Sequence, residues 1–449
     1  MTLQKHEVLL LKYQFFIHLI VLVTLTTFLK AEDRLTPIGA EKLGNMDGSI
    51  PEWTGGLIHI PEGYNRTKPD ILPDPFAGEQ PRYQISHKNL QTYRHLLSDG
   101  HAKLLADNPE SYVINVYPTH RSAGYPDSIY KATAENTGNI SLNEEGSGLE
   151  NYQNGVPFKQ AESALEVIWN HITRYRGASI RRKVASATVQ EDGQYTLIKS
   201  EGQVSFSHSL KGADSNTLFY IKSRIVEPTR MAGDVLLVHE TFDQLKDPRK
   251  AWVYSASQRR VRRAPDFAYD STMPFTDGFV VADQVDMFNG APDRYDWTLL
   301  GKKELLIPYN NYHLYSKNIR YEDLLKVGHI DPQYVRFEKH RVWVIEANLK
   351  KNARHIYGKR VFYIDEDTWQ ISVIDYFDGH DQLWRMGEAY ALYFYHEEIP
   401  LYAFEAIYDL QSKRYLVLGM SNEERKSLDF GIEAKKRDYT PNAIRREGR

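Results

Sequence analysis

The amino-acid sequence predicts a mainly β protein with a smaller helical part (α+β), organised around one large, curved antiparallel sheet. From residue 178 to residue 422, runs rich in Val, Ile, Tyr, Phe and Trp follow one another without a helical pattern between them. Turn signals such as Asp-Gly and Asp-Pro separate these runs. One strongly amphipathic helix precedes them, and a stretch rich in proline and glycine precedes that helix.

The first 31 residues have the pattern of a secretory signal peptide. Lys5 and Lys12 precede a nearly uninterrupted apolar run at 15–29, and a polar chain follows Ala31. Because this run is shorter than the roughly 20 residues that a membrane helix needs, we expect cleavage near Ala31 and a periplasmic protein. Association with the outer membrane stays open, and an uncleaved N-terminal anchor is the alternative.

The composition narrows the functional classes. The 449-residue chain has a formal net charge of −3, which does not favour nucleic-acid binding. It contains no cysteine, so disulfides, thiolate nucleophiles and cysteine-ligated metal centres are excluded. P-loop, dinucleotide-binding, nucleophile-elbow and His-Glu-x-x-His motifs are absent, which removes the common catalytic signatures without excluding an enzyme. We predict no catalytic residue, no cofactor and no metal.

The patterns divide the chain into five segments. They are the signal peptide 1–31, an extended segment 32–84 packed on the body, a helical and irregular region 85–177, an antiparallel β half-barrel 178–422 and a charged C-terminal tail 423–449. The clearest helix is predicted over 160–176, with an apolar stripe at i, i+3, i+4 spacing that ends before Gly177. A second helical pattern at 87–107 is interrupted at Gly100, and the tail is expected to fray.

The stretch from Phe288 to Tyr312 contains many charged and aromatic side chains, and we interpret it as structural. Alternation along its first strand places Tyr295, Trp297 and Leu299 on one face, which we expect to point into the sheet. A bend or hairpin is predicted at Gly301, between strands at 294–300 and 304–307. The stretch does not combine a general base with a nucleophile, so the sequence does not indicate catalysis there.

Two acidic clusters resemble metal sites but fit turns better. The first comprises Asp375, Asp378, His380 and Asp381, and its spacing matches no calcium-binding loop. We interpret it, and likewise the second cluster at 365–367, as polar hairpin tips in which Asp and Gly supply turn chemistry.

Four arginines flank Val261 in the sequence RRVRRAP. On a strand, Arg260 and Arg262 point one way, and Arg259 and Arg263 point the other. Such a set is a candidate clamp for a carboxylate or a lipid headgroup. The alternative is a row of surface ion pairs with nearby carboxylates, namely Asp247, Asp266 and Asp270.

Aromatic residues recur along the predicted strands and provide the remaining candidates for ligand binding. A curved sheet with bulky inward residues encloses either a filled core or an apolar cavity, and ordinary sheet packing is the alternative for each residue. The candidates are Trp169, Trp252, Tyr254, Tyr295, Trp297, Trp343 and Tyr363, together with Arg262 and Arg263.

Long motifs resemble a known bacterial family. EVIWNHITRYRG, AWVYSASQRRVRRAP and the runs around 269–312 and 341–385 are similar to uncharacterised periplasmic proteins described as outer-membrane-lipoprotein-sorting-like, relatives of the LolA and LolB carriers. The resemblance implies a half-open β-barrel, with the helix at 160–176 as part of a lid over an apolar cavity. It also implies an acylated or otherwise hydrophobic ligand, and an inner-membrane exporter and an outer-membrane protein as partners.

Three functions are compatible with these patterns. The favoured one is a non-enzymatic periplasmic carrier or chaperone for a lipidic ligand, acting in outer-membrane lipoprotein or lipid trafficking. The second is a ligand-free adaptor to an exporter or an outer-membrane barrel. The third is a secreted hydrolase that uses the residues at 375–381.

Overall fold

A computed structural model describes residues 34–264 and 267–448, so the predicted signal peptide at 1–31 lies outside the described residues. The α-helices are α1 Leu90–Tyr93, α2 Asp99–Asp107, α3 Asp127–Asn136, α4 Ala164–Thr173, α5 Tyr312–Tyr315, α6 Tyr321–Leu324 and α7 Pro441–Glu447. None of these helices has the length and apolar character needed to cross a bilayer.

The strands confirm the mainly β prediction. They are β1 Tyr83–Ile85, β2 Ile114–Val116, β3 Ser141–Leu142, β4 Leu149–Glu150, β5 Ser179–Val189, β6 Tyr195–Phe206, β7 Thr217–Glu227, β8 Val235–Thr241, β9 Lys250–Ser255, β10 Arg260–Ala264, β11 Tyr295–Pro308, β12 Phe337–Leu349, β13 Lys359–Asp365, β14 Ile371–Phe377, β15 Leu383–Phe394, β16 Ile399–Asp409, β17 Arg414–Met420 and β18 Leu428–Asp429.

Sixteen of the described strands form one open sheet. Its order is β1-β2-β12-β13-β14-β15-β16-β17-β5-β6-β7-β8-β9-β10, with β11 added on β12 and β18 on β5, while β3 and β4 form a separate pair. Neighbours are antiparallel except where β2 meets β12 at Val116 and Phe337. The antiparallel prediction therefore holds for nearly all pairs, whereas closure into a half-open barrel stays a prediction.

Strand β11 shows how alternation and glycine shape the sheet. Tyr295 is buried and Trp297 and Leu299 are half-buried, while the residues between them are exposed, as the spacing predicts. At Gly301 the register with β12 shifts and φ is +98°, which marks a β-bulge. The predicted bend is therefore present, but the hairpin alternative is wrong, because β11 stays paired with β12 on both sides of the bulge.

Helix α4 is shorter than the predicted range 160–176. The Ser163 hydroxyl accepts a hydrogen bond from the Glu166 N–H and forms a capping box that fixes the start, and Arg174 leaves the helical conformation at the end. Residues 167–173 are all buried, and the helix packs against β11 and β12. Because all but two of its residues are buried, α4 is part of the core, and a lid that opens stays a prediction.

The N-terminal segment lies on the body without helices or named strands from residue 34 to residue 82. The Trp369 indole N–H donates to the Ile38 carbonyl over 3.0 Å, and the Trp53 indole N–H donates to the Ala123 carbonyl over 3.2 Å. Phe76 stacks on His120 with ring centroids 4.2 Å apart. The segment therefore covers buried parts of the sheet and of its connecting loops.

Contrary to expectation, the C-terminal segment does not fray. Thr440 caps α7, and Tyr439 and Ile444 are fully buried against β8 and β9. The expectation rested on the density of charge in this segment. Its few apolar residues, however, are spaced so that they lie on one side of the segment. There they pack against the end of the sheet, and their burial stabilises the helix.

Candidate functional site

The structure disperses the aromatic candidates instead of gathering them around one cavity. Trp252 and Tyr254 lie beneath α7 in a small satellite core. Tyr295 and Trp297 belong to a ring cluster near β13, where Trp297 stacks on Phe362 with centroids 5.6 Å apart. This placement is the ordinary sheet packing that the sequence left as the alternative.

The remaining aromatic candidates have separate structural partners. Trp343 stacks on Trp369 at 6.1 Å, and Trp169 donates its indole N–H to the Gly146 carbonyl over 3.0 Å. The Tyr363 hydroxyl donates to Asp375 Oδ2 over 3.3 Å, and burial raises the pKa of Tyr363. Their role as ligand contacts stays a prediction.

Strand β10 is the last strand of the sheet at one end, and its arginines are exposed. Arg262 lies opposite Val253, and Arg263 lies opposite Trp252, so they point to different faces, as alternation predicts. Two of the carboxylates expected to neutralise them are engaged elsewhere: Asp247 pairs with Lys250 and Asp270 with Arg294, while Asp266 lies outside the described residues. The row of ion pairs is therefore not formed with Asp247 or Asp270.

The acidic clusters do not form one hydrolytic site. Asp378 accepts the backbone N–H groups of His380 and Gln382 in a solvent-facing hairpin tip, as predicted. Asp375 instead lies buried in β14, where it accepts the N–H groups of Asp99 and Gly100 at the start of α2. The carboxyl of Asp375 therefore lies beneath α2 and is separated from the exposed tip that contains Asp378.

A surface groove with two chemically different halves is the candidate binding feature of the described structure. It consists of two adjoining clefts of about 920 Å³ and about 380 Å³, which share Pro69, Leu428 and Asp429. We call the larger cleft the cationic half and the smaller one the aromatic half. Residues from five regions line it: 64–71, the start of β5, Lys317, 396–397 and 422–431.

Proline and a buried carboxylate position the N-terminal wall of the groove. Pro61, Pro69 and Pro73 keep the wall out of helical conformation. Asp70 is buried and accepts the Ser427 N–H over 2.9 Å, which ties this wall to the segment leading into β18. β18 in turn pairs with β5, so both walls are fixed to the sheet.

Gly177 allows close packing against Phe430, one of the rings that line the aromatic half. Its φ is +85°, a conformation that residues with a Cβ rarely adopt. A Cβ at this position would lie 2.9 Å from Ile399 Cδ1 and 3.3 Å from Phe430 Cδ1. The sequence suggested a helix cap at Gly177, but the residue lies beyond α4 and serves close packing instead.

Lys317 anchors the cationic half from below. Its ammonium group donates to the Ser421 carbonyl and the Ser427 hydroxyl, each over 2.6 Å, and to the Glu424 carbonyl over 3.3 Å. Burial lowers the pKa of Lys317 to about 8. With its three donors engaged, Lys317 holds the 421–427 segment in place and is not available as a free cation.

The cations at the surface of this half are less constrained. Lys68, Arg425 and Lys426 are exposed, and no described carboxylate forms an ion pair with them. Arg181 lies 3.8 Å from Asp429, and Lys183 lies 3.2 Å from Glu201. The cationic half therefore has positive charge available for an anionic group.

The aromatic half contains aromatic rings and a neutral imidazole, with the charged side chains of Arg66, Glu397 and Asp429 at its border. Tyr64 packs on His396 with centroids 4.8 Å apart and on Tyr395 at 5.6 Å, and Phe430 packs on Phe394 at 5.3 Å. Burial lowers the pKa of His396 to about 4, so this ring is uncharged at neutral pH. Sequence reasoning missed the groove because its residues are hundreds of positions apart.

Fold and site together define an open-sheet protein with an amphipathic surface groove. The chain belongs to the family described as Protein of unknown function (DUF1329), whose sequence profile matches residues 84–445. It is 50% identical over 418 residues to the Uncharacterized protein PA3922 of Pseudomonas aeruginosa, a similarity that covers 92% of this chain and 91% of that protein. The predicted resemblance to an uncharacterised bacterial family is thereby confirmed.

Two solved structures show a looser similarity in fold. A DUF1329 family protein from Desulfovibrio piger has 13% identity and a TM-score of 0.42 over 60% of this chain and 92% of that chain. The LolA superfamily protein NE2245 from Nitrosomonas europaea has 14% identity and a TM-score of 0.38 over 62% of this chain and 98% of that chain.

Proposed function

We propose that this protein is a non-enzymatic carrier that binds an amphiphilic ligand, lipidic or acylated, with an anionic head. The observation that supports the proposal is the division of the groove into a cationic half and an aromatic half. The head would lie near Arg425 and Lys426, and the apolar part would lie along Tyr64 and Phe430.

The physical need for such a site follows from the cost of exposing hydrocarbon to water. Each methylene group that leaves an apolar environment costs about 0.8 kcal/mol, so a long acyl chain crosses an aqueous compartment only when it is sheltered. Charged headgroups add little on an exposed surface, but they fix the orientation of the ligand. In this proposal the aromatic half supplies shelter and the cationic half supplies orientation.

We propose that this carrier acts in the periplasm, where transport between two membranes requires a soluble intermediate. The signal-peptide pattern supports that location, and an exporter and an outer-membrane protein are the proposed partners. Trafficking of outer-membrane lipoproteins or lipids is the proposed process.

Lipid analysis and one charge-reversal pair test the groove. The protein is purified in mild conditions and its extract is analysed by lipid mass spectrometry, and binding of a fluorescent fatty acid is titrated. Arg425→Glu combined with Lys426→Glu should weaken probe binding by about tenfold or more, equivalent to about 1.4 kcal/mol. Arg445→Glu combined with Arg446→Glu is the matched control, because these arginines are also exposed but lie on α7.

The outcomes separate clearly. Equal binding by both double variants would remove the groove as the headgroup site. A protein that repeatedly contains no lipid and binds no probe would contradict the carrier function itself.

The adaptor remains the second candidate because of β10. This strand ends the sheet, and the side chains of Arg260, Arg262 and Arg263 are exposed along it. An acidic extended segment of a partner could add to such an edge and pair with the arginines. If reversing these arginines abolishes crosslinking to a partner in cells while lipid binding is unchanged, the adaptor function is favoured.

A further inference from the structure

A second site lies in the interior, where the turn between β13 and β14 meets β12. His340, Asp365 and Asp367 are almost completely buried there, at 1%, 0% and 4% exposure. Burial contradicts the interpretation of residues 365–367 as a solvated hairpin tip. The tip turns inward, and the N-terminal segment covers it through the Trp369–Ile38 hydrogen bond.

We propose that His340, Asp365 and Asp367 bind one divalent metal ion, and that Zn²⁺ is the ion that suits them. One ligand atom from each, His340 Nδ1 and one oxygen of each carboxylate, all lie within 4.8 Å of one another. His340 Nδ1 is 3.6 Å from Asp365 Oδ1 and 3.9 Å from Asp367 Oδ2. Ligands of a tetrahedral zinc ion are roughly 3.4 Å apart, given bonds of about 2.0–2.2 Å.

The histidine is oriented as a metal ligand usually is. Its Nε2 lies 3.3 Å from Glu338 Oε2 and donates to it, so that Nδ1 presents a lone pair to the carboxylates when the ring is neutral, the form that binds a metal ion. A carboxylate that accepts the other ring N–H is the typical second partner of a ligating histidine. Glu338 is therefore a positioning residue for this site.

Asp365 supplies the observation that points most directly to a ligand. The Thr368 hydroxyl donates to its Oδ2 over 2.6 Å, whereas its buried Oδ1 has no hydrogen-bond partner in the described structure. A buried carboxylate oxygen without a partner is costly, and an ion or a proton would compensate it. This free oxygen faces His340 Nδ1.

Asp367 is held in place without being blocked. Arg121 Nε donates to Asp367 Oδ2 over 2.8 Å, and Nη2 donates to Oδ1 over 2.6 Å. An ionised carboxylate has about four lone-pair positions, so Oδ2 can bind an ion as well. Arg121 also donates to the Lys42 carbonyl over 3.1 Å, which connects the site to the N-terminal segment.

The charge balance of the surrounding network favours a divalent cation. Its permanent cations are Lys302, Arg121, Arg336 and Arg341, and its carboxylates are Glu41, Glu79, Glu338, Asp365, Glu366 and Asp367. The carboxylates exceed these cations by two when His340, which contacts three of the carboxylates, is neutral. One Zn²⁺ would neutralise the excess and join β12, the β13–β14 turn and the N-terminal segment in a structural role.

Metal analysis of the full chain tests this site. Protein purified without chelator should contain about one zinc ion per chain, and a strong chelator should lower its Tm. Asp365→Asn should lose the metal and its Tm should no longer respond to the chelator. Glu338→Gln should weaken zinc affinity roughly 10- to 100-fold. Asp375→Asn, a change at a buried carboxylate outside the network, is the control and should keep the metal.

The result that overturns the proposal is equally direct. Wild-type protein that contains no metal, and that takes up no Zn²⁺ when refolded in a zinc-buffered solution, has no such site. An increase in Tm for Asp365→Asn would agree with that outcome, because it removes a buried charge that nothing compensates. If Asp365→Asn does not fold, the metal content and chelator response of the wild-type protein still decide the question.

Discussion

A single substitution at Asp286 should reveal whether the buried ion pairs beside α4 are shielded from water. Asp286 lies between α4 and the sheet, and Arg174 donates to it through Nη1 over 2.8 Å and through Nη2 over 2.5 Å. Arg176 also binds it, and the Tyr402 hydroxyl donates over 3.1 Å. Burial raises the pKa of Asp286, but the two guanidinium groups outweigh burial and hold it below its usual range.

Asp286→Asn should lower the free energy of unfolding by about 3–5 kcal/mol. The substitution leaves two buried guanidinium groups without their counter-charge, which costs far more than the loss of an exposed ion pair. Burial lowers the pKa of Arg176 to about 10, so this arginine stays charged at neutral pH and keeps the penalty. Asn also tolerates the positive φ of 56° at this position, so backbone strain does not confuse the result.

Urea unfolding followed by tryptophan fluorescence measures the effect at neutral pH. Asp378→Asn is the matched control, because the amide oxygen can still accept the His380 and Gln382 N–H groups at the exposed tip. We expect this control to change stability by no more than about 0.5 kcal/mol. If the two variants differ by less than about 1 kcal/mol, the Asp286 network is solvated and the reasoning from burial is wrong.

Two further predictions concern Asp375 and Gly177. Burial raises the pKa of Asp375 from 3.8 to about 6, so the stability that its protonated form contributes is present below pH 3.8 and is lost as the pH rises to about 6. Wild-type protein should therefore gain up to about 3 kcal/mol relative to Asp375→Asn as the pH falls from 7 to 4; urea titrations with the opposite trend would contradict this. Gly177→Ala should cost about 1–2 kcal/mol because of its positive φ and should weaken fatty-acid binding, whereas an unchanged urea midpoint would refute the packing role.

Local patterns predicted the elements that local physics controls. Alternation assigned the faces of β11, and helical spacing located α4, because each pattern spans only about ten residues. The bulge at Gly301 was predicted as a bend, since glycine accepts positive φ. The length of α4 was overestimated, because the Ser163–Glu166 capping box fixes its start more strongly than the apolar stripe does.

The binding candidates were harder to predict, because a side chain's environment depends on distant chain segments. Trp252 is a candidate by its position on a strand, but α7 covers it. Residues 365–367 have the composition of a solvated turn, but the N-terminal segment covers them. Charged side chains are exposed on average, but a charged side chain can be buried when it pairs with a residue hundreds of positions away in the sequence.

Mainly antiparallel β structure with one well-defined amphipathic helix is predictable from residue patterns alone. Those properties arise from backbone periodicity and turn chemistry, which act between near neighbours. The three-dimensional fold brings residues 64–71, the start of β5, residues 396–397 and residues 422–431 into one groove, and it places His340 against two buried carboxylates. Both arrangements depend on sheet order and on the path of extended segments, which periodicity does not specify.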